Sequence, residues 1–167
     1  AYRQAGWSPE QVDLIECHAT GTPVGDAVEF ESLLKLWQGG SWQAGQCVLG
    51  AVKANVGHLL TAAGSASLIK VLLALKNQSL PPTANFRRAA DKIPLAGSPF
   101  RILQQSEPWN RREATTPRRA AVNGFGFGGV NAHVLIEEWM GQQAPRRAKA
   151  RRASSPASVA IIGIGAS

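Results

Sequence analysis

The stretch Val12-Asp13-Leu14-Ile15-Glu16-Cys17-His18-Ala19-Thr20-Gly21-Thr22-Pro23-Val24-Gly25-Asp26 carries the information that decides the fold class. Val12 to Cys17 is a short apolar run that reads as a buried strand. The Gly/Thr/Pro segment after it reads as a loop, which puts His18 at the strand end. Asp26 followed by Glu29 predicts a capping-box helix start, and Val28, Leu33, Leu34, Leu36 and Trp37 carry a helical stripe that stops at Gly39-Gly40. The same order then repeats. Cys47 to Val52 reads as a second buried strand and Lys53 to His58 as its exit turn. Thr61 to Lys76, rich in Ala and Leu and free of proline, reads as a helix. Ala62, Ala63, Gly64 and Ala66 let its first turns pack closely, so this helix is expected to be the most deeply buried of the chain. Strand, loop and helix in this order specify an α/β class.

His18 and His58 both sit in turns of small residues, and no credible nucleophile stands beside either. His58 lies just before a helix N-terminus, where the positive end of the helix dipole favours a neutral ring. A neutral imidazole N–H in such a turn is a donor to a thioester oxygen as it becomes an enolate, so the pair points to condensation chemistry. Cys17 does not supply the missing nucleophile. As the neighbour of His18 on a strand it points to the opposite side and reads as a packing residue.

The rest of the chain carries less chemistry. Prolines at 81, 82, 94, 99, 108 and 117 make residues 81–117 surface loops with one strand at Phe100 to Leu103. Ala120 to Asn123 and Ala132 to Glu138 read as two strands joined by the glycine-dense turn 124–129, with His133 a structural residue that alternates with Leu135. Of the 18 basic residues behind the net charge of +7, five fall in the stretch 146–152; without them the balance is 13 against 11. That proline-flanked stretch lacks interleaved aromatics and reads as a linker rather than a nucleic-acid arm. Two cysteines without CxxC spacing support neither a disulfide framework nor a metal site and fit a reducing cytoplasm. Leu68 to Leu75, interrupted by Lys70, is too short to cross a bilayer, so no membrane partner is expected. The two ends look like cuts within a larger fold, with no targeting segment.

Three segments occur in order: Cys-His-Ala-Thr-Gly-Thr-Pro-Val-Gly-Asp (17–26), Val-Lys-Ala-Asn-Val-Gly-His-Leu-Leu-Thr-Ala-Ala-Gly (52–64) and Asn-Gly-Phe-Gly-Phe-Gly-Gly-Val-Asn-Ala-His-Val (123–134). Together they resemble the C-terminal part of the β-ketoacyl synthase (ketosynthase) domain of modular type I polyketide synthases and related fatty-acid synthases. The resemblance runs to about Trp139. It implies a thiolase-like layered αβαβα fold, of which this chain would be the C-terminal half. It also implies decarboxylative Claisen condensation of an acyl chain, held on a cysteine of the other half, with a malonyl-type thioester. The expected division is 1–139 for this domain, 140–157 for a basic linker and 158–167 for the first strand of a following domain. Gly163-x-Gly165 leaves that last domain open between a further synthase-type domain and a dinucleotide-binding turn.

By the same resemblance His18 and His58 are the two catalytic histidines, and Lys53 is a supporting residue that tunes His58, the alternative being a buried partner for a carboxylate or carbonyl. Thr20 and Thr22 bind the pantetheine arm, besides any turn-forming bonds. Phe125, Gly126, Phe127, Gly128 and Asn131 form the gate and oxyanion loop, Phe127 as the gate; the alternative is a plain strand connection. No cofactor or metal is expected on this segment, the phosphopantetheine being carried by an acyl carrier protein. The implied partners are that carrier protein, the N-terminal half of the domain and a second copy of the intact domain. The fragment alone is expected to be inactive. Ala19 stands where the family usually has glycine, and a positive φ there would cost on the order of 1 kcal/mol. That departure keeps open a non-elongating domain that binds carriers and transfers acyl chains.

Overall fold

A computed structural model describes residues 1–126 and 128–141. In chain order it contains α1 (Tyr2–Ala5), β1 (Leu14–Glu16), α2 (Gly25–Trp37), β2 (Cys47–Gly50), α3 (Lys53–Val56), α4 (Ala63–Asn77), β3 (Ser79–Leu80), β4 (Phe100–Arg101), β5 (Glu107–Pro108), β6 (Arg119–Phe125) and β7 (Asn131–Glu137). Phe127 and almost all of the linker and following strand expected beyond residue 139 lie outside the described residues.

Five strands form one sheet in the order β4-β2-β1-β6-β7. β1 runs parallel to both β2 and β6, with Glu16 opposite Gly50 on one side and Val122 on the other, and β7 returns antiparallel to β6. This register brings the carboxyl ends of β1, β2 and β6 to one edge of the sheet. Open α/β sheets bind their ligands at that edge.

Alternation along the strands divides the core in two. Ile15, Cys47, Leu49 and Ala121 face α2, where they pack with Phe30, Leu33 and Trp37. Leu14, Val48, Ala120 and Val122 face α4, where they meet Val71 and Ala74. The Trp37 and Phe100 rings cross at 5.1 Å, and burying a side chain such as Phe100 stabilises the layer by about 1.5–3 kcal/mol. The result is a helix–sheet–helix sandwich, in accord with the α/β expectation. Asp13 ties the irregular segment to it, accepting from Trp109 Nε1 at 3.2 Å, Arg112 Nε at 2.7 Å and the Arg119 N–H at 3.1 Å.

Three local expectations are corrected. The capping box at Asp26 and Glu29 does not form; the helix opens at Gly25 without a side-chain cap because both carboxylates turn to the preceding loop. The expected burial of α4 holds for one face only: Ala63, Ser67, Val71 and Ala74 are buried, but Ile69 is 57% and Leu73 52% exposed, with Leu68 and Leu72 also open. The strand foreseen at Phe100 to Leu103 is limited to Phe100–Arg101, and Glu107–Pro108, within the stretch read as loop, pairs with Ser79–Leu80 just before it. Pairings of two residues leave no periodicity to read. Among the described residues no helix is long and apolar enough to cross a membrane.

Candidate active site

His18 follows β1, His58 follows the turn after β2, and Phe125 ends β6, so the parallel register gathers all three motifs at one edge. The two imidazoles stand 5.7 Å apart, edge to face at 84°, and the Phe125 ring lies 5.6 Å from His18. Each imidazole is oriented by a backbone donor. His18 Nδ1 accepts the Phe125 N–H at 3.3 Å, and His58 Nδ1 accepts the Leu60 N–H at 3.1 Å. A ring nitrogen that accepts carries no proton, which leaves Nε2 of each ring as its N–H donor. Leu60 itself adopts φ +49°, a conformation costly for a side-chain-bearing residue.

The pKa of His18 is lowered from its usual 6.5, first by burial and then by the Lys53 charge. Burial likewise lowers the pKa of Lys53, against the attraction of Glu16 and Glu29. The charge of Lys53 is therefore felt at His18, on the neighbouring loop.

The His18 loop is held by Glu29, which the sequence reading treated only as a helix cap. Its Oε1 accepts the His18 N–H at 2.8 Å and Asn123 Nδ2 at 2.7 Å, and its Oε2 accepts the Ala19 N–H at 2.8 Å. Two consecutive N–H groups thus converge on one carboxylate, and the second of the two residues, Ala19, has φ +29°. Because Asn123 spends its amide N–H on Glu29, its Oδ1 accepts from His133 Nδ1 at 2.6 Å, and His133 stacks on Tyr2 at 5.3 Å. His133 is structural, as the strand alternation predicts.

Thr20 and Thr22 lie exposed on the same loop with their hydroxyls 3.4 Å apart, and Thr22 Oγ1 accepts the Gly25 N–H at 3.2 Å. Thr22 thus serves the turn at least. Thr20, His18, Asp26, Ser32, Phe125 and Asn131 line an open groove of about 430 Å³ beside the His18 ring. Asn131 pairs with Phe125 where the hairpin closes, and Gly128 and Gly129, at φ +82° and +84°, make the turn between them. Gly126 donates its N–H to the Val130 carbonyl at 2.9 Å.

Cys17 is buried against the α2 face, and its thiol pKa is pushed well up by burial and by the Glu29 and Glu16 carboxylates. Burial acts the same way on Cys47. Neither is a poised nucleophile.

Two further charged residues escaped the sequence reading. Glu16 is fully buried at the end of β1 and pairs with Lys70 of α4 at 2.7 Å. Glu16 lies inside the apolar run 12–17 and Lys70 interrupts the run 68–75, and a charge placed so signals a buried partner.

Residues 1–87 match the family described as "Beta-ketoacyl synthase, C-terminal domain", and residues 90–164 match "Ketoacyl-synthetase C-terminal extension". The chain is 43% identical over 150 residues to polyketide synthase PksN of Bacillus subtilis, a match covering 84% of this chain and 3% of that protein. It is 41% identical over 136 residues to the highly reducing polyketide synthase phiA of a fungal species, covering 81% and 5%. The ketosynthase from module 6 of the bacillaene synthase of Bacillus subtilis superposes with a TM-score of 0.80 at 38% identity, over 84% of this chain and 25% of that one. The oxazolomycin ketosynthase domain OzmH KS7 of Streptomyces albus gives 0.79 at 39% identity, over 87% and 26%. The chain spans about a quarter of those solved ketosynthases and under a tenth of the two synthases.

Proposed function

Because the chain belongs to the β-ketoacyl synthase family, as its C-terminal part, we propose that it supplies the extender half of the active site of an acyltransferase: a condensing domain in a modular polyketide synthase. In that reaction the carboxylate of a malonyl-type thioester leaves as CO2, and the electron pair of the broken C–C bond passes into an enolate. The two Nε2–H donors bear the charge that develops on the thioester oxygen. The enolate carbon attacks an acyl thioester held on a cysteine elsewhere in the domain, whose thiolate leaves and takes up a proton. The observation that carries this reading is the pair of imidazoles 5.7 Å apart, each with Nδ1 accepting a backbone N–H.

The groove beside His18, with Thr20 and Asn131 on its wall, suits the polar pantetheine arm of an acyl carrier protein. Phe125, Gly126, Phe127, Gly128 and Asn131 act as the gate and oxyanion loop, and Lys53 supports His18 through its charge. The exposed apolar face of α4 is the surface for the N-terminal half of the domain, and the intact domain pairs with a second copy. Residues 1–139 belong to this domain, 140–157 to a linker and 158–167 to the next domain, on the strength of their proline and charge content. Free, buried Cys17 and Cys47 suit the cytoplasm.

The test is the intact domain carrying His58→Ala, assayed for decarboxylation of a malonyl thioester. Loss of turnover with acyl loading retained supports the role, whereas unchanged turnover removes it. A second reading, a domain that loads and transfers chains without extending them, is favoured by one observation: the left-handed Ala19 beside His18. Acyl loading by the wild-type domain with no extension selects that reading.

A further inference from the structure

The two histidine loops are tied together by a buried ion pair that the condensation chemistry does not itself use. Glu16, the last residue of β1, divides its carboxylate between two elements. Oε2 takes Lys70 Nζ of α4 at 2.7 Å, and Oε1 accepts the N–H of Val52, the residue that opens α3. His18 lies two residues beyond Glu16, and His58 six beyond Val52. Room for the pair is made by Gly50 on the adjacent strand: a Cβ there would stand 2.7 Å from Glu16 Oε2 and 3.0 Å from Lys70 Nζ. The Glu16 side chain is 0% exposed and that of Lys70 13%.

A buried ion pair adds little net stability over apolar side chains of the same volume, because desolvation offsets the attraction. An apolar pair would not, however, supply a directed acceptor for the Val52 N–H at the junction of two catalytic loops. We propose that Glu16 and Lys70 are positioning residues that hold the turn carrying Lys53 and His58 in register with the strand end carrying His18, and so set the spacing of the two imidazoles. Lys70 fixes the carboxylate from α4, and Glu16 passes that constraint to Val52. The role rests on the condensing function proposed above.

The test uses the intact domain with Glu16→Ala, Glu16→Gln, Lys70→Met and Lys70→Arg. Extender decarboxylation is measured per acyl-loaded site, with loading counted by intact mass, so that misfolded protein drops out of the rate. Glu16→Ala is expected to lower kcat at least tenfold and Lys70→Met about fivefold, with KM within twofold of wild type. Lys70→Arg, which keeps a charged donor for the carboxylate, should stay within threefold, whereas Glu16→Gln keeps an acceptor for Val52 but sets its NH2 against Lys70 Nζ and should fall with Lys70→Met. If Glu16→Ala and Lys70→Met load and decarboxylate like wild type, the role is overturned. If Glu16→Ala does not load, Lys70→Met carries the test, and failure of both to load marks the pair as a folding determinant and overturns the proposal. A wild-type domain that loads but does not decarboxylate removes the condensing reading and this role with it, an outcome told apart by the wild type's own silence.

Discussion

Replacing Glu29 by glutamine changes one oxygen to an amide nitrogen and leaves the shape of the side chain alone. Three donors converge on the native carboxylate: the His18 and Ala19 N–H groups at 2.8 Å and Asn123 Nδ2 at 2.7 Å. Glutamine can keep the two bonds to Oε1, but its NH2 then faces the Ala19 N–H, donor against donor. Two charge-assisted bonds become neutral ones, at about 1 kcal/mol each, and a third is lost with its donor partly buried, at about 1–3 kcal/mol. Relief of the carboxylate's own desolvation returns part of this. The net expectation is a destabilisation of about 2–3 kcal/mol. Equilibrium denaturation of the intact domain in urea measures it as a lower midpoint at constant slope. Because the His18 backbone loses its anchor, extender decarboxylation per loaded site should fall as well, while acyl loading holds. A Glu29→Gln domain within 0.5 kcal/mol of wild type and undiminished in turnover would show that the carboxylate does not hold the loop.

Ala19→Gly should behave unlike an ordinary alanine-to-glycine change, which costs roughly 0.5–1 kcal/mol within an element. At φ +29° the relief of strain cancels or exceeds that cost, so denaturation should show a neutral or stabilised domain, and a loss of 1 kcal/mol or more contradicts the strain. His18 has its pKa lowered from 6.5 by burial and then by Lys53, so the ring stays neutral above pH 6.5 and protonates only as the pH falls through the lowered value. The corresponding stability is complete above the unfolded pKa and is lost on acidification. In the pH profile of decarboxylation, Lys53→Met should therefore move the acid limb upward, part of the way to 6.5; a limb that stays put or moves down rules out Lys53 as a cause.

Much of the site was legible because its chemistry is local. His18, Thr20 and Thr22 sit in one loop and Lys53 and His58 in another, each announced by a strand running into small residues. Ala19 stands where the family usually has glycine, and its φ of +29° is the condition under which that exchange is costly. What stayed hidden were partners distant along the chain. Glu29 resembled a helix cap because the capping pattern looks only three residues ahead, whereas its partners are 10, 11 and 94 residues away. Glu16 and Lys70, 54 residues apart, each look like an interruption in an apolar run.

The order of strands, loops and helices and the residue types at their ends are written locally in the chain, because hydrophobic period and turn chemistry act over a few neighbouring residues. Only the tertiary structure decided that β1, β2 and β6 lie side by side and parallel, which puts three separate loops on one edge and two imidazoles 5.7 Å apart. It also brought the Phe125 N–H to His18 Nδ1 across 107 residues and paired Glu16 with Lys70 across 54. Strand pairing and the burial of charge are settled between residues far apart in sequence, where no local pattern records the outcome.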